Sequence, residues 1–104
     1  KEDFGHILEN IVYLELRRRY SQVYVGNLDK YEVDFVVVTD VGHYAYYQVS
    51  ETTLAQETLE RELRPLEAIK DQFPKYLLTM DTIQPTANYN GIEKKNIIDW
   101  LLEK

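Results

Sequence analysis

The run from Tyr31 to Ser50, YEVDFVVVTDVGHYAYYQVS, constrains the fold more than any other stretch. Two arms rich in β-branched and aromatic residues flank Asp40-Val41-Gly42, where Gly can supply the positive φ of a tight turn. The arms therefore read as an antiparallel hairpin. Successive side chains on a strand point to opposite faces. In the first arm, Tyr31 to Thr39, this puts Glu32, Asp34, Val36 and Val38 on one face and Tyr31, Val33, Phe35 and Val37 on the other. In the second, His43 to Ser50, Tyr44, Tyr46, Gln48 and Ser50 share a face opposite Ala45, Tyr47 and Val49. Asp34 is the acid set in mid-strand, and Gln48 and Ser50 close the second arm.

Residues 4–19 read as the helix before this hairpin. Phe4, Ile7, Leu8, Ile11, Val12 and Leu14 recur at helical spacing and form one broad apolar stripe, with Asp3 placed to cap its start. At about 100° per residue, Glu15 falls near the middle of the stripe and Glu9 at its margin beside Leu16. A carboxylate on a core-facing stripe needs a partner. Either Glu15 bonds to the sheet or the helix rolls to release it. Arg17, Arg18 and Arg19 close the helix, where cations suit the helix dipole; a phosphate contact is the competing use.

Gln22 to Val25 reads as a short strand and Gly26-Asn27-Leu28-Asp29 as the turn after it. Beyond the hairpin, Thr53-Leu54-Ala55-Gln56 fits a capping box that opens a second helix. Its apolar positions, Leu59, Leu63, Leu66, Ile69 and Phe73, are spaced by 4, 3, 3 and 4 residues. Pro65 predicts a kink near Arg61 to Arg64, and Pro74 ends the helix. Tyr76 to Met80 reads as a buried strand and Thr82 to Gly91 as a loop. Asn96 caps a last short helix with Ile97, Ile98, Leu101 and Leu102 on one side. The order α-β-β-β-α-β-α predicts an α/β fold: a three-stranded meander, then a helical crossover to a fourth, parallel strand. The expected core is a mixed four-stranded sheet flanked by helices, in one domain spanning residues 1–104.

The totals narrow the function. With no Cys, disulfides and thiolate metal sites are excluded, and His6 and His43 show no ligand spacing for zinc. No apolar run approaches the roughly 18 residues of a membrane span, no P-loop glycine motif occurs, and no G-x-S-x-G is present. A cytoplasmic setting is expected. The net charge of −6 repels phosphate at long range, which argues against nucleic-acid binding by the whole surface. Arg61 and Arg64 sit among Glu57, Glu60, Glu62 and Glu67, where surface ion pairs account for them. The start, Lys-Glu-Asp-Phe, has neither an initiator Met nor a signal-peptide core, so the chain reads as a piece of a longer protein.

One constellation could carry chemistry. A Mg²⁺ site for phosphodiester hydrolysis needs carboxylates from adjacent strands, often with one from a helix, and a nearby Lys. Asp34 is the mid-strand candidate, and Glu9 projects from the helix. Gln48 is a neutral acceptor and Ser50 cannot replace an ammonium. Read from residue types alone, Glu9, Asp34, Gln48 and Ser50 make a polar spot on a sheet face.

Several strings in order, LENIVYLELRRR, VYVGNLDKYEVDFVV, YYQVS, ETLERELRPLEAIKDQFPKYLLTMD and GIEKKNIIDWLL, resemble the C-terminal domain of unknown function that follows a AAA-type ATPase module in many bacterial and archaeal proteins. The likeness runs from about Gly5 to the end. That family is similar in fold to the PD-(D/E)XK nuclease superfamily, with an α-β-β-β-α-β core. The resemblance implies that Glu9 in GHILE matches the first-helix acid and Asp34 in EVDF the strand Asp. Gln48 and Ser50 in QVS then stand at the acid and Lys of the E-x-K triplet. Gln at the first place occurs in active branches; Ser at the second is the larger departure. Lys30, before the second strand, is expected to lie too far from Ser50 to replace the missing Lys. Tyr20 stands where the family usually has Gly after the first helix, which should alter that cap.

The expectation is a catalytically degenerate nuclease-fold accessory domain, with Asp34, Gln48, Glu9 and Ser50 as vestigial catalytic positions. Its partners are a AAA-type ATPase module in cis and DNA or a protein, with no membrane. The alternatives are an active divalent-metal-dependent nuclease that uses Glu9, Asp34 and Gln48 with a displaced base and holds Mg²⁺ through Asp34 and Glu9, and a protein-interaction or oligomerisation domain without a nucleic-acid role.

Overall fold

The computed structural model describes residues 2–26 and 32–103, and the side chains of these from Phe4 onward. The elements are α1 (Glu2–Arg19), β1 (Val23–Val25), β2 (Phe35–Asp40), β3 (His43–Val49), α2 (Gln56–Glu67), β4 (Lys75–Thr79), β5 (Ala87–Tyr89), β6 (Ile92–Asn96) and α3 (Ile97–Leu101). The expected cap at Asp3, the turn at Asn27 to Asp29, the position of Lys30 and the strand start at Tyr31 lie outside the described residues or side chains.

The sheet is mixed, with strand order β1-β2-β3-β4-β6-β5. The meander β1-β2-β3 is antiparallel, β4 runs parallel to β3 after the α2 crossover, and β6 runs parallel to β4 with β5 antiparallel on the edge. The α/β class and the meander-plus-crossover order follow the sequence reading. The strand count does not: six strands replace the expected four. The segment read as a loop over Thr82 to Gly91 contains β5. Asn90 and Gly91 both take positive φ, 54° and 98°, and turn it into β6. Two consecutive left-handed residues give the twist that joins antiparallel strands tightly.

Each sheet face carries its own core. Leu8, Val12 and Leu16 of α1, with Ile97 and Trp100 of α3, pack on Phe35, Val37, Ala45, Tyr47, Val49 and Leu78. Leu63 and Leu66 of α2, followed by Ile69, pack on Val36, Tyr46, Leu77 and Ile92 on the other face. The central strand β3 is covered on both sides, so its last five residues are all buried. Arg19 ties α1 to α3: its guanidinium donates to the Trp100 carbonyl at 2.6 Å and lies 4.5 Å from the centre of the Trp100 ring.

The helices correct several expectations. In α1, Leu8, Val12 and Leu16 are buried, whereas Phe4, Ile7, Ile11 and Leu14 are exposed. The broad apolar stripe is thus two narrower ones, and only one meets the sheet. Glu15 bonds along its own helix rather than to the sheet, to Arg18 at 2.6 Å and Arg19 at 2.7 Å. The Arg18 bond foremost, with Arg19, lowers its carboxyl to about 2 against the opposing effect of burial. The capping box does not form. Ala55 is the N-cap of α2 with no side-chain bond, because the Thr53 hydroxyl is committed to Asp81. Pro65 falls in the last turn of α2, which ends at Glu67, so Ile69 and Phe73 follow it in irregular chain. Asn96 caps α3 as expected, its side chain accepting from the Ile98 and Asp99 amides. Of the expected face of α3, Ile97 is buried while Ile98 and Leu102 are exposed, and Trp100 fills the core instead.

Asp34 does not sit in mid-strand. It lies in the bend just before β2, which starts at Phe35. Gly26 fixes that bend by donating its N–H to the Asp34 carbonyl at 2.7 Å. The approach is so close that a Cβ on residue 26 would overlap the Val33 carbonyl, so only Gly fits.

Candidate functional site

Four elements bring polar side chains to the end of the sheet where β2 begins and β3 finishes. Asp34 comes from the bend before β2, Gln48 from β3, Glu62 from α2 and Glu9 from α1. Gln48 is the hub. It is buried because β3 is central, and both ends of its amide are used. Its Oε1 accepts from the Asp34 backbone N–H at 2.9 Å, and its Nε2 donates to Glu62 Oε1 at 3.1 Å. The Asp34 carboxylate in turn accepts the Val49 N–H at 2.8 Å through Oδ2. The side chains of residues 34 and 48 thus replace ladder bonds at the point where the hairpin opens.

The electrostatics follow from this crowding. Burial pushes the Asp34 carboxyl up to about 7; the Val49 N–H opposes the shift, and the charges of Glu9 and Glu62 add to it. Glu62 is raised by burial, against its bond from Gln48 and the nearby Arg61, with Glu9 adding repulsion. Three acids therefore share one field with little positive charge to balance it. Asp34 and Glu9 both line a small concavity of about 250 Å³ with Asn10, Tyr13 and Gly26. A larger cleft, about 1120 Å³, lies elsewhere on the sheet, over Val36, Val38, Tyr44 and Tyr46.

A Mg²⁺ ion prefers near-octahedral oxygen coordination and keeps several waters. The donor set does not fit that demand. One Asp34 oxygen holds the Val49 amide, the Gln48 carbonyl oxygen holds the Asp34 amide, and Glu62 is held by Gln48. Among the described residues, no three His, Asp or Glu side chains converge closely enough to hold a metal ion. Ser50 turns its hydroxyl to the Thr52 carbonyl at 3.0 Å, and its own N–H pairs with Leu78.

The sequence reading named Asp34, Gln48, Glu9 and Ser50. The first two are in direct contact, and Glu9 acts on Asp34 through its charge. Glu62 belongs to the cluster and was read only as a surface acid. The helical projection from Leu59 and Leu63 places it one step off the buried face, which is the signal that marks it.

A second polar centre was missed altogether. Lys94 of β6 is 2% exposed, and its ammonium meets Asp81 Oδ2 at 2.9 Å. Asp81 also accepts from the Thr52 hydroxyl at 2.5 Å and from the Thr53 amide and hydroxyl, at 3.0 and 3.1 Å. Asn96 donates to the Asp81 carbonyl at 3.0 Å. Burial would raise the Asp81 carboxyl, but bonds from Thr52, Lys94 and Thr53 outweigh it and hold the group down at about 2. Gln48, Leu77 and Lys94 stand in one row across β3, β4 and β6. At a strand spacing of about 4.8 Å, Lys94 originates roughly 10 Å from Gln48. Its head group belongs to Asp81 and does not serve Asp34.

Comparison with known proteins adds one relative. The chain is 37% identical over 101 residues to an uncharacterized protein of Haemophilus influenzae. The match takes in 97% of this chain and 24% of that protein, so the chain spans about a quarter of the relative's length. No family model matches the chain, and no solved structure matches it.

Proposed function

We propose that this chain is a nuclease-fold accessory domain of a AAA-type ATPase, that its own metal chemistry has lapsed, and that it works in the cytoplasm by binding a protein partner. The observation that carries the reading is the Gln48 clamp. The residue at the place of a catalytic acid spends both ends of its amide on holding Asp34 and Glu62. The residue at the place of the catalytic Lys is Ser50, bonded to a neighbouring carbonyl. The positions that would build a reactive centre serve to close a hairpin. The α-β-β-β-α-β order with β4 parallel to β3 supports the nuclease-like part of the reading.

A protein partner is favoured over DNA by where the cations go. Arg18 and Arg19 are bound to Glu15, and Arg17 donates to the Tyr13 hydroxyl. Lys75 and Lys94 are turned inward onto Asp71 and Asp81. Among the described residues no helix is long and apolar enough to cross a membrane.

Incubation with plasmid and single-stranded DNA in Mg²⁺ or Mn²⁺ tests the lapse of chemistry. The expected outcome is no cleavage above a metal-free control. Robust cleavage abolished in Asp34→Ala would overturn the reading in favour of an active nuclease. In the same samples, DNA binding that weakens steeply with salt would replace the protein partner by nucleic acid, because counterion release leaves that slope.

A further inference from the structure

The feature left over is the outer face of α1. Phe4, Ile7, Ile11 and Leu14 are 39%, 50%, 37% and 67% exposed on an 18-residue helix whose other apolar face is already committed to the sheet. Their spacing of 3, 4 and 3 residues is the a/d pattern of a helix that packs against another helix. Leu8, Val12 and Leu16 anchor α1 from below, so the seam is held in place before any partner arrives.

We infer that this seam is a docking surface for an apolar-faced helix of the same polypeptide, lying outside residues 1–104. The inference rests on the reading that the chain is part of a longer ATPase-bearing protein, and it names the surface through which the two parts meet. Two observations select this occupant over a second copy of the chain. The first is area. At roughly 200 Å² for a large side chain, the four residues leave on the order of 400 Å² to be covered. A stable complex of separate chains buries about 800 Å² on each partner. A tethered helix needs less, because the linker supplies the effective concentration that a free partner lacks. The second is length: three-quarters of the Haemophilus influenzae relative lies outside the matched stretch. An anionic lipid surface is disfavoured by the net charge of −6.

The chain has no Cys, so single reporters can be placed cleanly. Ile7→Cys and Leu14→Cys report on the seam, and Glu60→Cys on exposed α2 is the control. Each is made in residues 1–104 and in the full-length polypeptide, and maleimide labelling is read peptide by peptide by mass spectrometry. The expected result is at least tenfold slower labelling at positions 7 and 14 in the full-length protein, with equal rates at position 60. Equal rates at all three positions overturn the inference. So does a dimer of residues 1–104 by sedimentation with the seam already protected, which would assign it to a second copy. A natural product with a mass of only 12.4 kDa also overturns it. Slow labelling in a full-length chain that hydrolyses no ATP keeps the docking and removes the ATPase. Fast labelling in an active ATPase does the reverse.

Discussion

Asp34→Asn is expected to stabilise the chain at pH 8 by about 2–4 kcal/mol. The reason is the cost of holding a charged carboxylate in the Glu9, Gln48 and Glu62 cluster. Burial, with the charges of Glu9 and Glu62, lifts the Asp34 carboxyl from 3.8 to about 7. A folded-state value above the unfolded one means that the native chain holds the extra proton between these limits. Stability from this group is therefore intact below pH 3.8 and falls as pH rises toward 7. At about 1.4 kcal/mol per unit, the full penalty is on the order of 4 kcal/mol. Glu62 is raised by burial as well, so its charge adds to the penalty as pH rises above 4.5. Asn keeps an oxygen for the Val49 N–H and carries no charge, so it removes most of the penalty. Urea unfolding of both proteins at pH 8 and pH 4 checks this: the gain should be large at pH 8 and vanish at pH 4. A variant less stable at both pH values would show that the charge is wanted where it is.

Asp81→Ala should have the opposite effect, a loss of about 3–5 kcal/mol at neutral pH. Removing one member of a buried ion pair leaves the other charge uncompensated. Here that charge is the Lys94 ammonium, closed off from water among β4, β5 and β6. The same change frees the Thr52 and Thr53 hydroxyls that hold the entry to α2. Adding Lys94→Met should recover part of the loss, because an apolar side chain of similar length needs no partner. Thermal unfolding of the single and double variants measures both effects. The acid limb of the wild type carries a further signature. The Asp81 carboxyl is held at about 2 against 3.8 when unfolded, so its stabilisation is present above 3.8 and lost as pH falls toward 2. Asp34 weakens the fold on the alkaline side and Asp81 on the acid side. Between them they place the maximum of their joint contribution near pH 4, below the neutral range usual for globular proteins.

These two acids also show what could be read from the chain alone. The hairpin was legible because the Val and Tyr arms and Gly42 agree locally. The crossover to β4 was legible because a helical pattern stands between two strands. Asn90-Gly91 was a strong hairpin signal, but the flanking segments are short and polar, and β6 reads as Ile-Glu-Lys-Lys-Asn. A Lys in a strand is ordinarily a surface residue. Lys94 is buried only because Asp81, thirteen positions earlier, comes to meet it, and no local pattern announces that pairing. Glu15 misled for a similar reason. Its place in the apolar stripe was correct, but Arg18 and Arg19 satisfied it along the helix and let the outer half of the stripe face solvent. Around Asp34, alternation put Gln48 and Ser50 on one face of β3, and of these Gln48 meets Asp34. It could not give the bend at residue 34, which depends on the close approach of Gly26 to the Val33 carbonyl.

The most direct test of the account is the Asp34 carboxyl titration, followed by carboxyl carbon NMR with and without millimolar Mg²⁺. A bound cation competes with the proton, so a metal centre would draw the midpoint down. The account predicts a midpoint near 7 that Mg²⁺ does not move. A midpoint that falls by a unit or more on adding Mg²⁺ would contradict it and restore Asp34 as a metal ligand.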